Sequence, residues 1–320
     1  MKSRPLGALP VVVSEIGLGT AQLANVDGQV HGAKPVPLET ARRILGVAIE
    51  RGVTFFDTGD EYGMAESLLG ELPQGIKQAV LIATKAGRKP DGTREFSPAY
   101  LQEQVHRSLR RLGVDCLDLF QLNKPSKAAL QDGSVFAFLN QLKREGKIRY
   151  AGLVVGEEET GFLAIRSGAV DCLQVLYNLL YSKTEDLIAQ AHAAGLGVIV
   201  RSPLNSGLLA GTYTHATQFS ANDERSLYFS GKAFEDRLNV LHRIQAALNV
   251  EDRTLLEFAL TFILSNPTIS VIVPGASSVA QVQRYIACSG RVLLGQLELK
   301  QIRDVVAREM TGVAQVFQTQ

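Results

Sequence analysis

The chain has 320 residues, with 33 basic and 32 acidic side chains and a formal net charge of +1. At 46% hydrophobic and 20% charged residues it can bury a large core, which argues against disorder. Near-neutral balance removes the basic face expected of a nucleic-acid binder, and no unbroken apolar run of about 18 residues offers a membrane span.

At the N-terminus, Met1-Lys2-Ser3-Arg4-Pro5 lacks the apolar run of a signal peptide. Residues 9–13 read as a hairpin strand plugging the bottom of a barrel. Short apolar runs then recur at residues 15–19, 53–56, 80–83, 117–120, 150–155, 172–176, 197–200 and 269–273. Each is of the kind expected of a parallel strand covered on both faces. Helical patterns separate them. One opens at Pro37-Leu38-Glu39-Thr40 and ends near Arg51-Gly52, with proline at the start and glycine at the stop. Ser97-Pro98 caps a second that runs to Leu112-Gly113, residues 139–143 carry a third to Glu145-Gly146, and residues 185–194 form a fourth that ends at Gly195. Strands alternating with helices in this way predict an α/β fold, a single (β/α)8 TIM barrel over residues 1–320, with a doubly wound open sheet as the alternative. Between Val200 and Ile269 the spacing is too long for one helix, and residues 204–232 are rich in Gly, Ser, Thr and Asn. Such a stretch reads as a functional loop or lid after the seventh strand. Residues 297–309 read as one extra terminal helix.

Few residues carry a chemical signal. Gly17-Leu18-Gly19-Thr20-Ala21-Gln22 half-matches a dinucleotide fingerprint, but its third glycine is missing and it reads as a tight exit from the first strand. Cys116, Cys172 and Cys288 stand far apart and the histidines show no metal spacing, so neither disulfides nor a metal site is expected, and a reducing cytoplasm is the expected compartment. The cluster His106-Arg107 with Arg110-Arg111 reads as a solvated helix face. The informative residues lie where strands end: Asp57-Thr58-Gly59-Asp60-Glu61-Tyr62-Gly63, Thr84-Lys85 and Gln121-Leu122-Asn123. In a barrel these ends converge on one rim. An Asp, a Lys and a Tyr gathered there form either a proton donor, with the ammonium lowering the phenol pKa, or a structural ion pair under a tyrosine.

These residues carry a resemblance. Phe56-Asp57-Thr58-Gly59-Asp60-Glu61-Tyr62-Gly63, Thr84-Lys85 and Asp118-Leu119-Phe120-Gln121-Leu122 resemble motifs of the aldo-keto reductase superfamily. So do Glu145-Gly146-Lys147-Ile148-Arg149-Tyr150-Ala151-Gly152, Gln174-Val175-Leu176-Tyr177-Asn178, Ser202-Pro203-Leu204 with Gly207-Leu208-Leu209 and Gly211, and Val273-Pro274-Gly275-Ala276. The resemblance implies a barrel that binds NADP(H) across its rim, with NAD(H) left open, and transfers hydride to a small-molecule carbonyl or imine. It implies Tyr62 as proton donor, Lys85 as its partner and Asp57 as the anchor of Lys85. Asn123 stands where the family usually has His, as in its potassium-channel beta-subunit branch, and its amide still donates a hydrogen bond. Val154-Val155 replaces the usual Ser-Asn of the nicotinamide pocket, Gln174 is retained for the carboxamide, and Arg201 takes the place of an aromatic ring. For the rest of the cofactor the resemblance implies Gly19, Thr20, Ser202, Pro203, Leu204, Gly275, Ala276, Ser277 and Gln281, with Arg284 as the basic group for a 2′-phosphate. The alternative is a slow or non-catalytic NADP(H)-binding regulatory protein.

Overall fold

The computed structural model describes residues 1–24, 36–89, 91–220, 223–248 and 253–311. Strands β1 (Ser3–Pro5) and β2 (Val12–Ser14) form an antiparallel hairpin in which Arg4 faces Val13. Eight parallel strands follow: β3 (Leu18–Gly19), β4 (Phe55–Asp57), β5 (Leu81–Ala86), β6 (Leu117–Asn123), β7 (Ile148–Val154), β8 (Cys172–Leu176), β9 (Gly197–Arg201) and β10 (Val271–Ile272). They pair in chain order, and bridges Ile16–Ile272 and Gly19–Gly275 join the first to the last. The sheet is therefore a barrel, not an open doubly wound sheet.

Side chains alternate across a strand, so each apolar run splits into two rows. Phe55, Leu81, Ala83, Leu119, Cys172, Ile199 and Val271 pack together inside the ring. Their neighbours Phe56, Ile82, Phe120, Leu173, Val198 and Ile272 face outward into the larger core shared with the helices. Burial of each such Leu, Ile or Phe contributes about 1.5–3 kcal/mol. Along β4, β5, β6, β8 and β9 the inner row turns polar at the C-terminal end. Phe55 is followed two residues on by Asp57, Ala83 by Lys85, Leu119 by Gln121 and then Asn123, Cys172 by Gln174, and Ile199 by Arg201. Gly152 makes room for this row, since a Cβ there would lie 2.9 Å from the Gln121 side chain.

The hairpin closes the other end. Leu6 and Val13 join the inner cluster as its floor. The turn docks through Gly7, at φ +61°, where a Cβ would come within 2.4 Å of Gly195 O and Gly197 N. The plug strand expected at residues 9–13 forms only towards its end, as β2 at Val12–Ser14; its partner β1 is polar and partly exposed, and gives no apolar signal. Arg4 donates to Leu264 O (2.6 Å), Ile269 O (3.0 Å) and Asn266 O (3.2 Å), and to Glu15 Oε2 (3.0 Å). Glu15 Oε1 in turn accepts from Ser289 Oγ and the Gly290 amide. Arg4→Ala leaves these acceptors unpaired and is expected to cost about 2–3 kcal/mol, read as a lower urea midpoint with unchanged slope.

The expected helices form at Leu38–Glu50, Pro98–Leu112, Ser134–Arg144 and Glu185–Ala193. The third starts earlier than residue 139 because Val135, Phe136 and Phe138 extend its buried stripe. The terminal helix runs over Gln296–Glu309. Residues 204–232 lie in the long connection expected after the seventh strand, and they carry local structure of their own. Their described part holds 3-10 turns at Asn205–Ala210 and Glu224–Leu227 and a cluster of aromatic rings. Tyr213 lies 5.2 Å from Phe219 and 5.6 Å from Phe229, and Phe229 lies 5.4 Å from Phe234. Their spacing follows no strand or helix period, so the sequence pattern misses their mutual packing.

Candidate active site

The inner-row polar groups meet at the C-terminal rim. Lys85 Nζ donates to Asp57 Oδ2 at 2.7 Å and to Thr58 O at 2.6 Å. Asp57 Oδ1 accepts from Gln174 Nε2 at 2.7 Å and Gln121 Nε2 at 3.2 Å. Both members of the ion pair are buried, so three donors from β5, β6 and β8 fix one carboxylate on β4. Tyr62 comes from the turn after β4, and the Lys85 ammonium lies 4.8 Å from its ring centroid. Gln174, expected to bond a carboxamide, gives its amide nitrogen to Asp57.

The electrostatics keep a proton on the phenol. Burial pushes Tyr62 above its ordinary pKa and outweighs the lowering by Lys85, while Asp57 and Glu61 push it further up. The expected lowering by the ammonium is thus present but does not decide the balance. Burial pulls Lys85 down, yet Asp57 and Tyr62 together hold it above its ordinary value. At neutral pH the pair is a neutral phenol beside a charged ammonium.

Asn123 Nδ2 donates to Glu61 Oε1 at 2.9 Å, and Arg88 Nη1 reaches Glu61 Oε2 at 3.3 Å. One amide hydrogen of Asn123 remains for another acceptor. At the end of β9 the Arg201 guanidinium reaches Val155 O at 3.4 Å, and its buried Nε has no partner. No carboxylate pairs with it among the described residues. Burial brings Arg201 down to about 10, opposed by Tyr62, Tyr181 and Asp57, which places the cation beside the Tyr62–Asp57 group.

The remaining predicted residues fall in two places. Thr20 is buried and donates from N and Oγ1 to Asp57 O at 2.9 and 3.1 Å. Gly19 bridges Gly275, where Tyr285 Oη donates to Gly275 O at 3.1 Å. Ser277 gives its amide and hydroxyl to Gln281 Oε1, Ala276 is buried, and Arg284 is exposed on the helix Val279–Ile286. At β9, Pro203 and Leu204 are buried, while Ser202, Asn205 and Ser206 take left-handed backbone with φ of 51°, 51° and 53°. Asn178 Nδ2 braces Ser202 O at 3.1 Å. Arg201 Nε and Asn205 Nδ2 are two buried donors without acceptors, each costing about 1–3 kcal/mol if left so. Carboxamide and phosphate oxygens are acceptors of the required kind, so this edge fits a nicotinamide dinucleotide. A cavity of about 100 Å³ lies at the other end, lined by Lys2, Arg4, Glu15, Thr261, Cys288 and Arg291 among others, and belongs to the hairpin network. No group of three or more His, Cys, Asp or Glu suits a metal, and no helix is long and apolar enough to cross a membrane, among the described residues.

Three neighbours were given no role from sequence. Gln121 was legible in principle, two residues from inner-facing Leu119. Glu61 and Lys124 belong to turns, where no periodicity fixes direction. Arg111, expected on a solvated face, instead donates from Nε to the buried Glu66 at 2.6 Å, beside Asp60. Asp60 Oδ1 is buried without a partner, and burial, Glu66 and Glu61 push its carboxyl up to about 7. The folded chain then holds a proton that the unfolded chain releases near pH 4, so Asp60 removes stability as pH rises from about 4 to 7. The melting temperature of Asp60→Asn relative to the parent should therefore rise between pH 5 and 8; a flat or falling difference contradicts the shift.

The profile of the Aldo/keto reductase family matches residues 15–307, and the chain belongs to that family. It is 28% identical over 311 residues to the uncharacterised oxidoreductase YqkF of Bacillus subtilis, covering 95% of this chain and 96% of that one. It is also 28% identical over 309 residues to an NADH-specific methylglyoxal reductase of Escherichia coli, covering 90% and 93%. Among solved structures, the holo form of an aldo-keto reductase from Bacillus halodurans superposes with a TM-score of 0.79 at 27% identity, covering 95% and 96%. A glycerol dehydrogenase from Gluconobacter oxydans shares the fold with a TM-score of 0.81 at 23% identity, covering 98% of each chain.

Proposed function

We propose that the protein reduces the carbonyl, or a related imine, of a small molecule with hydride from a nicotinamide cofactor, using Tyr62 as proton donor. The observation that carries this reading is the buried Asp57–Lys85 pair at 2.7 Å with its ammonium over the Tyr62 ring. A reduced nicotinamide bound along the rim would supply the hydride that leaves the carbonyl electrons on oxygen. Tyr62 gives that oxygen its proton, and Lys85 stabilises the phenolate left behind. Asp57, held by Gln121 and Gln174, keeps Lys85 in place. The free amide hydrogen of Asn123 polarises the same oxygen.

Arg201 offers a planar cation for the nicotinamide face, and its charge favours the reduced ring over the oxidised one. Gln174 keeps its carbonyl oxygen for the carboxamide. Gly19 and Thr20, residues 202–204, and Gly275, Ala276, Ser277 and Gln281 line the path proposed for pyrophosphate and adenosine, with Arg284 for a 2′-phosphate. NADPH is the expected cofactor; a relative named as NADH-specific makes NADH the necessary control.

The test is direct. The protein is mixed with NADPH or NADH and a panel of aldehydes, ketones and cyclic imines, and loss of cofactor absorbance is followed. Steady turnover supports the reading. Tight cofactor binding without turnover on any compound overturns it in favour of a cofactor-reading regulatory protein, a role for which an intact Asp57–Lys85–Tyr62 group is not needed.

A further inference from the structure

Cations collect on the rim beside Asn123. Lys124 follows it directly, in left-handed backbone with φ of 55°, and its amide is held by Val154 O at 3.1 Å. A residue other than Gly, Asn or Asp rarely adopts that conformation, which costs about 1 kcal/mol and concentrates at binding sites. Arg88 and Arg94 bridge each other in the loop after β5. Arg201 approaches from β9 with its Nε unpartnered. The carboxylate among them is Glu61, already bonded to Arg88 and Asn123. Lys124 is half-buried and has no ion-pair partner among the described residues. Burial, then Arg201, Arg94 and Arg88, bring its ammonium down to about 6, with Glu61 opposing.

This excess of positive charge is not the grip for the adenosine end of a dinucleotide. Lys124 follows β6, and Arg88 and Arg94 follow β5, whereas Gly275, Ser277 and Gln281 follow β10. In the ring order β6 lies diametrically opposite β10. Lys124 instead adjoins Asn123, whose amide would touch the substrate oxygen, and Arg88 shares Glu61 with that amide.

We propose that Lys124, with Arg88 and Arg94, binds an anionic group, carboxylate or phosphate, carried by the carbonyl substrate. The proposal rests on the reductase reading for the word substrate, though the anion site itself does not. Anion binding offers Lys124 the charge-assisted hydrogen bonds it lacks and favours its protonated form.

The full chain with cofactor is assayed on matched pairs: succinic semialdehyde against its methyl ester, and glyceraldehyde phosphate against glyceraldehyde. The charged member of at least one pair should have kcat/KM at least about tenfold higher, and the pair that responds identifies carboxylate or phosphate as the anion. That preference should weaken with salt. Lys124→Gln should lower the charged-to-neutral ratio about tenfold and Lys124→Arg should retain most of it; Arg94→Gln, at an exposed position, should lower it if Lys124→Gln fails to fold.

Binding is read without turnover by titrating succinate and inorganic phosphate into the protein at pH 7, in buffers of different ionisation enthalpy. Proton uptake on binding, lost in Lys124→Gln, is expected as Lys124 becomes charged. No preference for either charged substrate and no proton-linked anion binding overturn the proposal. Proton-linked anion binding with no carbonyl turnover leaves the anion site standing and overturns the reductase reading.

Discussion

Tyr62→Phe should lower kcat by about 10²–10⁴-fold while the dissociation constant for the cofactor stays within a few-fold. In the proposed reaction the hydroxyl acts on the oxygen only as charge develops there, so its loss should fall on the transition state and not on binding. Stopped-flow or steady-state reduction of the best aldehyde, with cofactor titration by fluorescence, separates the two quantities. Unchanged kcat would remove Tyr62 from the chemistry. Lys85→Met should give a comparable loss with a distinct cause. Tyr62 would keep its proton but lose the cation that stabilises its phenolate, so turnover should become more sensitive to substrate reactivity.

Asp57→Asn should be the most destabilising single change at the rim, by about 3–5 kcal/mol. The carboxylate accepts from Lys85, Gln121 and Gln174, and an amide in its place sets an NH₂ against one of those donors. Lys85 would be left as a buried ammonium without its counter-charge. Urea unfolding of the single variants and of Asp57→Asn with Lys85→Met measures this, since removing the orphaned cation should recover a large part of the loss. Simple additivity of the two changes would show that the pair is not energetically coupled.

The architecture was legible because the β strands are short, apolar and regularly separated. Alternation then decides which polar residues face inward, and Asp57, Lys85, Asn123, Gln174 and Arg201 all continue apolar inner rows. What sequence left hidden depends on turns. Glu61 precedes Tyr62 in an irregular segment, and no period says that its carboxylate reaches Asn123. Lys124 reads as one more surface lysine until the left-handed backbone after β6 is known. The Arg4 network was equally hidden, since all of its acceptors but Glu15 are main-chain carbonyls more than 250 residues away. Packing of Tyr213 with Phe219, Phe229 and Phe234 was concealed by composition, because Gly, Ser and Thr around them carry the signature of a loop.

Ring closure between β3 and β10 constrains how this chain comes into being on the ribosome. Ile16 and Gly19 can bridge only residues 272 and 275, and the hairpin beneath them is tied by Arg4 to 264–269 and by Glu15 to 289–290. Most of the polypeptide must therefore be synthesised before its first strand finds its final neighbour. Until then the nascent sheet has two free edges and an apolar inner face with no closed interior to occupy. The interval is set by translation and by closure of a loop of some 250 residues, a cost that grows only slowly with length but delays every contact depending on it. The rim groups of β4, β5 and β6 can meet early, since their strands are local in sequence. The contribution from β9 comes later, and the residues after β10 come last, so the barrel assembles its Asp57–Lys85–Tyr62 group before the residues proposed for the far end of a cofactor path.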